Sequence, residues 1–269
     1  MRVGTIARRD LAHRARRSVS ILFCILLAAM ARGTAWPQVP SETPVQVMER
    51  AHLAHGGLWR GGQIVDWVGQ GQITMLGDRR SPFNFTLMVK GRNKVQLVIT
   101  QPGGTLYYGT DGTRSWQRSG PLSGVAAGHQ VHFIESKTVR SIARVFNHLT
   151  EGLALRDLGP GMQDLDSVAR PSRIIETQEG AARRTRYYVD NATSLVTRLE
   201  FDTGGFYHYP FSTQQIPHKA VMVFSDYRMV SGVRTPFKID IYQGPTRIEQ
   251  MVFTSVRYNV GLADAAFRP

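Results

Sequence analysis

From Phe83 to Lys90 the chain alternates with a period of two: Phe83, Phe85, Leu87 and Val89 fall on one side, Asn84, Thr86, Met88 and Lys90 on the other. A β-strand sends successive side chains to opposite faces, so such a run buries one face only. Ile73 and Met75 before it, and Val95, Leu97 and Ile99 after it, continue the apolar set. The connections are short: Gly77-Asp78, Gly91-Arg92, Pro102-Gly103-Gly104 and Asp111-Gly112. Strands joined by such turns are antiparallel neighbours. Residues 67–118 therefore read as five strands (67–76, 82–90, 93–101, 105–110 and 113–118) forming a meander with one apolar side.

The same pattern closes the chain. Ala220 to Pro269 reads as three strands divided by Val230-Ser231-Gly232-Val233 and by Gly244-Pro245, then an irregular tail ending in Phe267-Arg268-Pro269. Phe237, Ile239 and Ile241 alternate with Lys238, Asp240 and Tyr242. Between these blocks, residues 172–177, 183–189 and 195–201 are strand-like, with a hairpin turn at Asp190-Asn191-Ala192-Thr193, and a polar-aromatic loop runs from Gly204 to His218. The total is about eleven strands, too many to lie flat, so the sheet is expected to twist and curve strongly.

Two segments change to helical spacing. Ser41 is placed to cap a helix ending near His55, with Pro44 in its first turn, Gly56-Gly57 as its stop, and Val45, Met48, His52 and Leu53 on one face. Phe133 to Leu158 carries the stripe Val139, Ile142, Ala143, Phe146, Leu149, Leu153 and Leu155, and Gly159-Pro160-Gly161 is expected to end it. Each is amphipathic and needs a surface to lie on, and the apolar side of the sheet is that surface.

The first 35 of the 269 residues have the character of a leader. Arg8, Arg9, Arg14, Arg16 and Arg17 precede the apolar run Val19–Ala31, and Gly33 and Ala35 offer a small-x-small cleavage site before Trp36. The run is shorter than the roughly 20 apolar residues that span a bilayer. Export through the Sec pathway with cleavage is expected, an uncleaved membrane anchor being the alternative. The organisation is then a signal peptide, 1–35, and one domain, 36–269. Cys24 lies in the leader and is the only cysteine, so the domain is stabilised by its core rather than by disulfides. The net charge of +13 falls to +7 once the leader is removed. Basic residues are dispersed, without the block or the aromatic interleaving of a nucleic-acid site.

Three features make the chain resemble the periplasmic lipoprotein carriers of the LolA and LolB type and related outer-membrane lipoprotein-sorting proteins. They are a helix closing in Ala54-His55-Gly56-Gly57, a meander broken by helix, and an ending with Tyr227, Gly232-Val233, Pro236, Val256, Asn259, Phe267 and Pro269. The resemblance spans nearly all of the chain after the leader. It implies a mainly β, α+β fold: an unclosed half-barrel lidded by helices, its concave face binding acyl chains, with a mobile lid. Family carriers also use an arginine in the lid; Arg140 and Arg144 lie in the helical insert, and neither aligns with that role.

No cofactor or metal is expected. His52/His55 and His129/His132 are spaced as pairs but lack the cysteine or acidic partners of a zinc site. Ser225-Asp226 falls in a strand, His208 and His218 fall in a loop, and no Gly-x-Ser-x-Gly elbow is present, so the chain does not read as an enzyme. Two readings remain. In the first, a periplasmic carrier or sensor holds lipid or lipoprotein acyl chains in a cavity lined by Ile73, Met75, Phe83, Phe85, Leu87, Leu97, Ile99, Phe237, Ile239 and Ile241. A membrane surface or an envelope protein would be its further partner, and nucleic acid is not one. In the second, the same sheet is a non-enzymatic interaction scaffold without a lipid ligand.

Overall fold

The computed structural model describes residues 42–58, 63–75, 82–120, 122–125, 134, 146, 154–165, 168–179, 183–202, 207–208, 215–216 and 219–269. The leader, its cleavage site, Cys24, His129/His132 and His218 lie outside the described residues.

Among the described residues there are fifteen strands: β1 (Asp66–Met75), β2 (Phe83–Lys90), β3 (Lys94–Gln101), β4 (Gly104–Thr110), β5 (Ser115–Ser119), β6 (Leu122–Val125), β7 (Leu155–Leu165), β8 (Val168–Glu179), β9 (Arg183–Asp190), β10 (Val196–Asp202), β11 (Tyr207–His208), β12 (Gln215–Ile216), β13 (Lys219–Val230), β14 (Val233–Gln243) and β15 (Thr246–Tyr258). Thirteen form one antiparallel sheet in the order β6-β5-β4-β3-β2-β1-β15-β14-β13-β10-β9-β8-β7, and β11 and β12 pair in a second, two-stranded sheet. Since β6 and β7 end the order without pairing, the sheet is an unclosed half-barrel. Within each half neighbouring strands follow one another in chain order, the chain passes from one half to the other between β6 and β7, and the halves are joined where the first strand, β1, pairs with the last, β15.

The sheet has thirteen strands rather than eleven because both edges read poorly. Leu122-Ser-Gly-Val125 is too short and small to signal a strand, yet it pairs with β5 as β6. Leu155–Leu158, expected to finish a helix, instead opens β7. Leu155 and Leu158 are three apart, as on one face of a helix, and Gly159-Pro160-Gly161 imitates a helix stop. Pro160 is tolerated because β7 is an edge strand with one side free of the ladder. Within the segment expected to be helical before it, Ile134 and Phe146 are helical and fully buried.

The helix α1 (Pro44–Ala54) is capped by Thr43, not Ser41. Thr43 Oγ1 accepts from the Gln46 N–H at 3.3 Å while Gln46 Oε1 accepts from the Thr43 N–H at 2.8 Å. That reciprocal pair requires Gln three residues after the cap, and the position three after Ser41 is Pro44. The buried face is Val47, Met48, Ala51 and His52; Val45 and Leu53 are exposed, so two of the four residues expected on that face lie off it.

Register assigns the two faces of the sheet. Phe85 opposite Ile99 and Gly71, and Leu87 opposite Leu97 and Gly69, put the apolar set on the inner face, where it joins Val47, Met48 and Ala51 of α1 in one core. Burying such side chains contributes roughly 1.5–3 kcal/mol each, which makes this layer the main source of stability. The C-terminal tail covers part of the outer face. Asn259, at φ 55, turns the chain, and the buried Asp66 accepts from the backbone N–H groups of Val260 and Leu262, both at 2.7 Å. The short 3-10 turn Asp264–Phe267 then seats Phe267 out of solvent, its carbonyl accepting from Trp116 Nε1 at 2.8 Å, while Asp264 pairs with Lys90 and Lys94.

Candidate functional site

The inner face begins where α1 is fastened to the sheet. His55 is fully buried at the helix C-cap. Its Nε2 lies 3.1 Å from the Val196 N–H, which can only donate, so Nε2 accepts. The proton is therefore on Nδ1, which donates to the Arg234 carbonyl at 3.1 Å. Val196 needs this partner because β10 slips register against β9 between Val196 and Arg198. The Val196 carbonyl is met in turn by the Tyr227 hydroxyl, whose ring stands edge-on to His55 at 5.6 Å. Burial pushes the His55 imidazole down to about 4 and the Tyr227 phenol well above its usual range. Gly56 has φ 103, and a Cβ there would fall 2.1 Å from the Gly232 carbonyl oxygen, so glycine permits the close approach of helix end and β13–β14 hairpin. Phe146 covers the junction, its ring 5.1 Å from His52 and 5.2 Å from His55.

Beyond the junction lies the apolar layer. The ten residues expected to line it, Ile73, Met75, Phe83, Phe85, Leu87, Leu97, Ile99, Phe237, Ile239 and Ile241, are brought into one cluster; nine are buried and Ile239 is half-buried. Gly69 and Gly71 leave a trough on β1 that Phe253 enters, making an edge-on contact with Phe85 at 5.1 Å. A Cβ at Gly71 would meet the Val252 carbonyl oxygen at 2.0 Å. Trp67 packs at the margin of this layer, whereas Trp116 belongs to the outer face beneath the tail.

Two inner-face residues escape a reading of the sequence. Glu249 pairs with both Ile241 and Met75, and so is a buried carboxyl group within the apolar layer. It follows Phe253 and Met251 by strict alternation along β15 and so shares their inner face, while the slip of register against β14 between Ile241 and Tyr242 leaves Ile248 as an extra buried residue beside it. Gln243 ends β14 on the same face and is 5% exposed. A polar residue at a strand end carries no local mark of burial, and only the register reveals it.

The outer face is a ladder of charge. Glu176 takes Arg186 at 3.0 Å and Arg156 at 3.9 Å, and Arg186 reaches Glu200 at 3.7 Å, which Arg198 also pairs. The hydrogen bond from Arg186 to Glu176 raises the guanidinium further above its already high range. A pocket of about 130 Å3 is lined by Arg184, Arg186, Glu200, Phe201 and Lys219, and by none of the ten residues above. Among the described residues no three His, Cys, Asp or Glu side chains group as metal ligands. Asp226 pairs with Arg228 rather than with a histidine, and His208 lies in β11. Among the described residues no helix is long and apolar enough to cross a membrane.

An open antiparallel half-barrel with α1 packed on its inner face is a LolA/LolB-like fold. A LolA superfamily protein from Nitrosomonas europaea superimposes with a TM-score of 0.55 at 13% identity, over 85% of this chain and 99% of that one. A putative outer membrane lipoprotein-sorting protein domain from Vibrio parahaemolyticus does so at 0.52 and 9% identity, over 83% and 95%. A DUF1329 family protein from Desulfovibrio piger gives 0.51 at 14% identity, over 84% and 95%. No protein-family model and no curated protein sequence matches the chain.

Proposed function

We propose that the chain is an exported, non-enzymatic carrier or sensor that holds acyl chains against the inner face of its half-barrel. The observation that carries this reading is the continuity of the face: β1, β2, β3 and β14 contribute one apolar layer, and α1 lies over its margin. The fold is also that of a protein described as sorting lipoproteins. Each buried methylene contributes roughly 0.8 kcal/mol, so a chain of about a dozen carbons would bind without many polar contacts. Residues 1–35 act as a signal peptide and the domain is periplasmic; intact mass of the exported protein should place its N-terminus at Trp36, with Arg32 the second choice.

The binding test uses delipidated protein and a fluorescent acylglycerol. Saturable binding is expected, weakened about tenfold by Phe85→Ala and abolished by Ile239→Asp, with both variants folded by circular dichroism. A folded wild-type protein that binds no probe would favour the interaction scaffold instead.

A further inference from the structure

Among the described residues most polar groups on or beside the inner face are met by partners, the Trp67 indole N–H being an exception. His55 is held at both nitrogens, and the hydroxyl groups of Thr235 and Tyr258 lie 2.7 Å apart. Gln243 differs: it is 95% removed from solvent by its 5% exposure, and neither Oε1 nor Nε2 has a hydrogen-bond partner. A buried primary amide with donor and acceptor both unmet is a costly feature that native proteins rarely keep without a use. Its place in the sheet suggests the use. Gln243 ends the row Phe237, Ile239, Ile241 on β14, at the end of the sheet away from Arg234 and the His55 junction. From Phe237 to Gln243 is six residues, about 20 Å along a strand, the scale of an extended acyl chain.

We infer that Gln243 is the polar anchor of the site and receives the uncharged head of a lipid, one that both donates and accepts hydrogen bonds, such as an amide or the ester and hydroxyl groups of an acylglycerol. The anchor rests on the acyl-chain reading and adds a head group to it. Its neighbour argues for neutrality. Glu249 is buried on the same face one pair-row away, about 7 Å along the strand, so a carboxylate head would bury a second acidic group beside it. A free fatty acid is therefore the poorer ligand.

The test compares 1-dodecanoylglycerol, dodecanamide and dodecanoate as competitors of the fluorescent acylglycerol, with wild-type protein and with Gln243→Met and Gln243→Leu. The wild type should bind the two neutral compounds at least about tenfold more tightly than dodecanoate. Gln243→Met should lose about tenfold for the neutral compounds and leave dodecanoate unchanged. In ligand-free protein its Tm should be equal to or above that of the wild type, since an apolar side chain replaces an unmet amide. A structural glutamine predicts the reverse: a fall of several degrees in Tm with head-group preference retained, or failure of both variants to fold, and either would overturn the anchor. Saturable wild-type binding with no head-group preference would overturn the anchor alone. No binding of any of the compounds would remove the acyl-chain reading and the anchor with it.

Discussion

At the scale of single residues, His55 does the most. It joins the end of α1 to β10 and to the start of β14 through two hydrogen bonds that only the neutral ring can make together. Protonation would put a hydrogen on Nε2 and set it against the Val196 N–H. An unfolded histidine titrates near 6.5, whereas burial holds this one at about 4. The sign follows: below pH 6.5 the unfolded chain takes up a proton that the folded chain refuses, so stability is complete above 6.5 and declines as the pH falls to 4. The loss is about 3 kcal/mol and levels off below that pH. Urea unfolding at pH 7.5 and pH 4.2 should show this difference in the wild type, on top of any common carboxylate contribution. His55→Leu should be less stable at pH 7.5 yet lose about 2 to 3 kcal/mol less between the two conditions. An equally steep loss in the variant would assign the acid sensitivity to other groups. The histidine itself stands in the sequence beside two glycines, but nothing local says that its partners come from Val196 and Arg234.

At the scale of elements, the hairpins were the most readable part of the chain. The expected strands 82–90 and 93–101, and the three strands after Ala220, agree with β2, β3, β13, β14 and β15 to within a residue or two, because strict alternation and glycine turns are both local signals. The sidedness of β2 gives a direct check. Leu87 is buried opposite Leu97 and Gly69, whereas Thr86 is half-buried on the outer face opposite Gln70 and Val98. Leu87→Asp should therefore cost several kcal/mol or prevent folding, and Thr86→Asp about 1 kcal/mol, by chemical denaturation. Equal costs would reverse the assignment of faces. Elements at the sheet edges were less readable. β6 offers only Leu122 and Val125 as apolar residues, both exposed, and β7 hides behind a glycine-proline-glycine sequence that suits a helix terminus as well as an edge strand.

At the scale of the whole molecule, the fold is one curved sheet whose two surfaces are used differently. The inner surface is apolar and carries α1; the outer surface carries ion pairs and the C-terminal tail. If acyl chains occupy the inner surface, stability and binding are linked. A ligand at a hundred times its Kd adds about 2.7 kcal/mol, and for a domain of this size that corresponds to a rise in Tm of about 5 to 10 °C. Thermal unfolding of delipidated protein with increasing 1-dodecanoylglycerol should show this rise, and protein purified without delipidation should already melt higher. An unchanged Tm across the titration would count against occupancy of the core.

The class of fold and the identity of the apolar face are legible in the amino-acid sequence, since alternation, turn residues and helix period act over a few residues and survive without a partner. What that face meets depends on contacts between segments far apart in the chain. Pairing of β1 with β15 joins the two ends of the domain, and the register of β15 with both its neighbours places Glu249 between Met75 and Ile241 on the inner face. The end of β14 buries Gln243 in the same layer. The tail is aimed at Trp116 by Asp66 and Asn259, which act through backbone groups far away in the chain. The physical reason is common to all of these: register is settled by hydrogen bonds between strands distant in sequence, and a shift of one residue exchanges the buried and exposed faces.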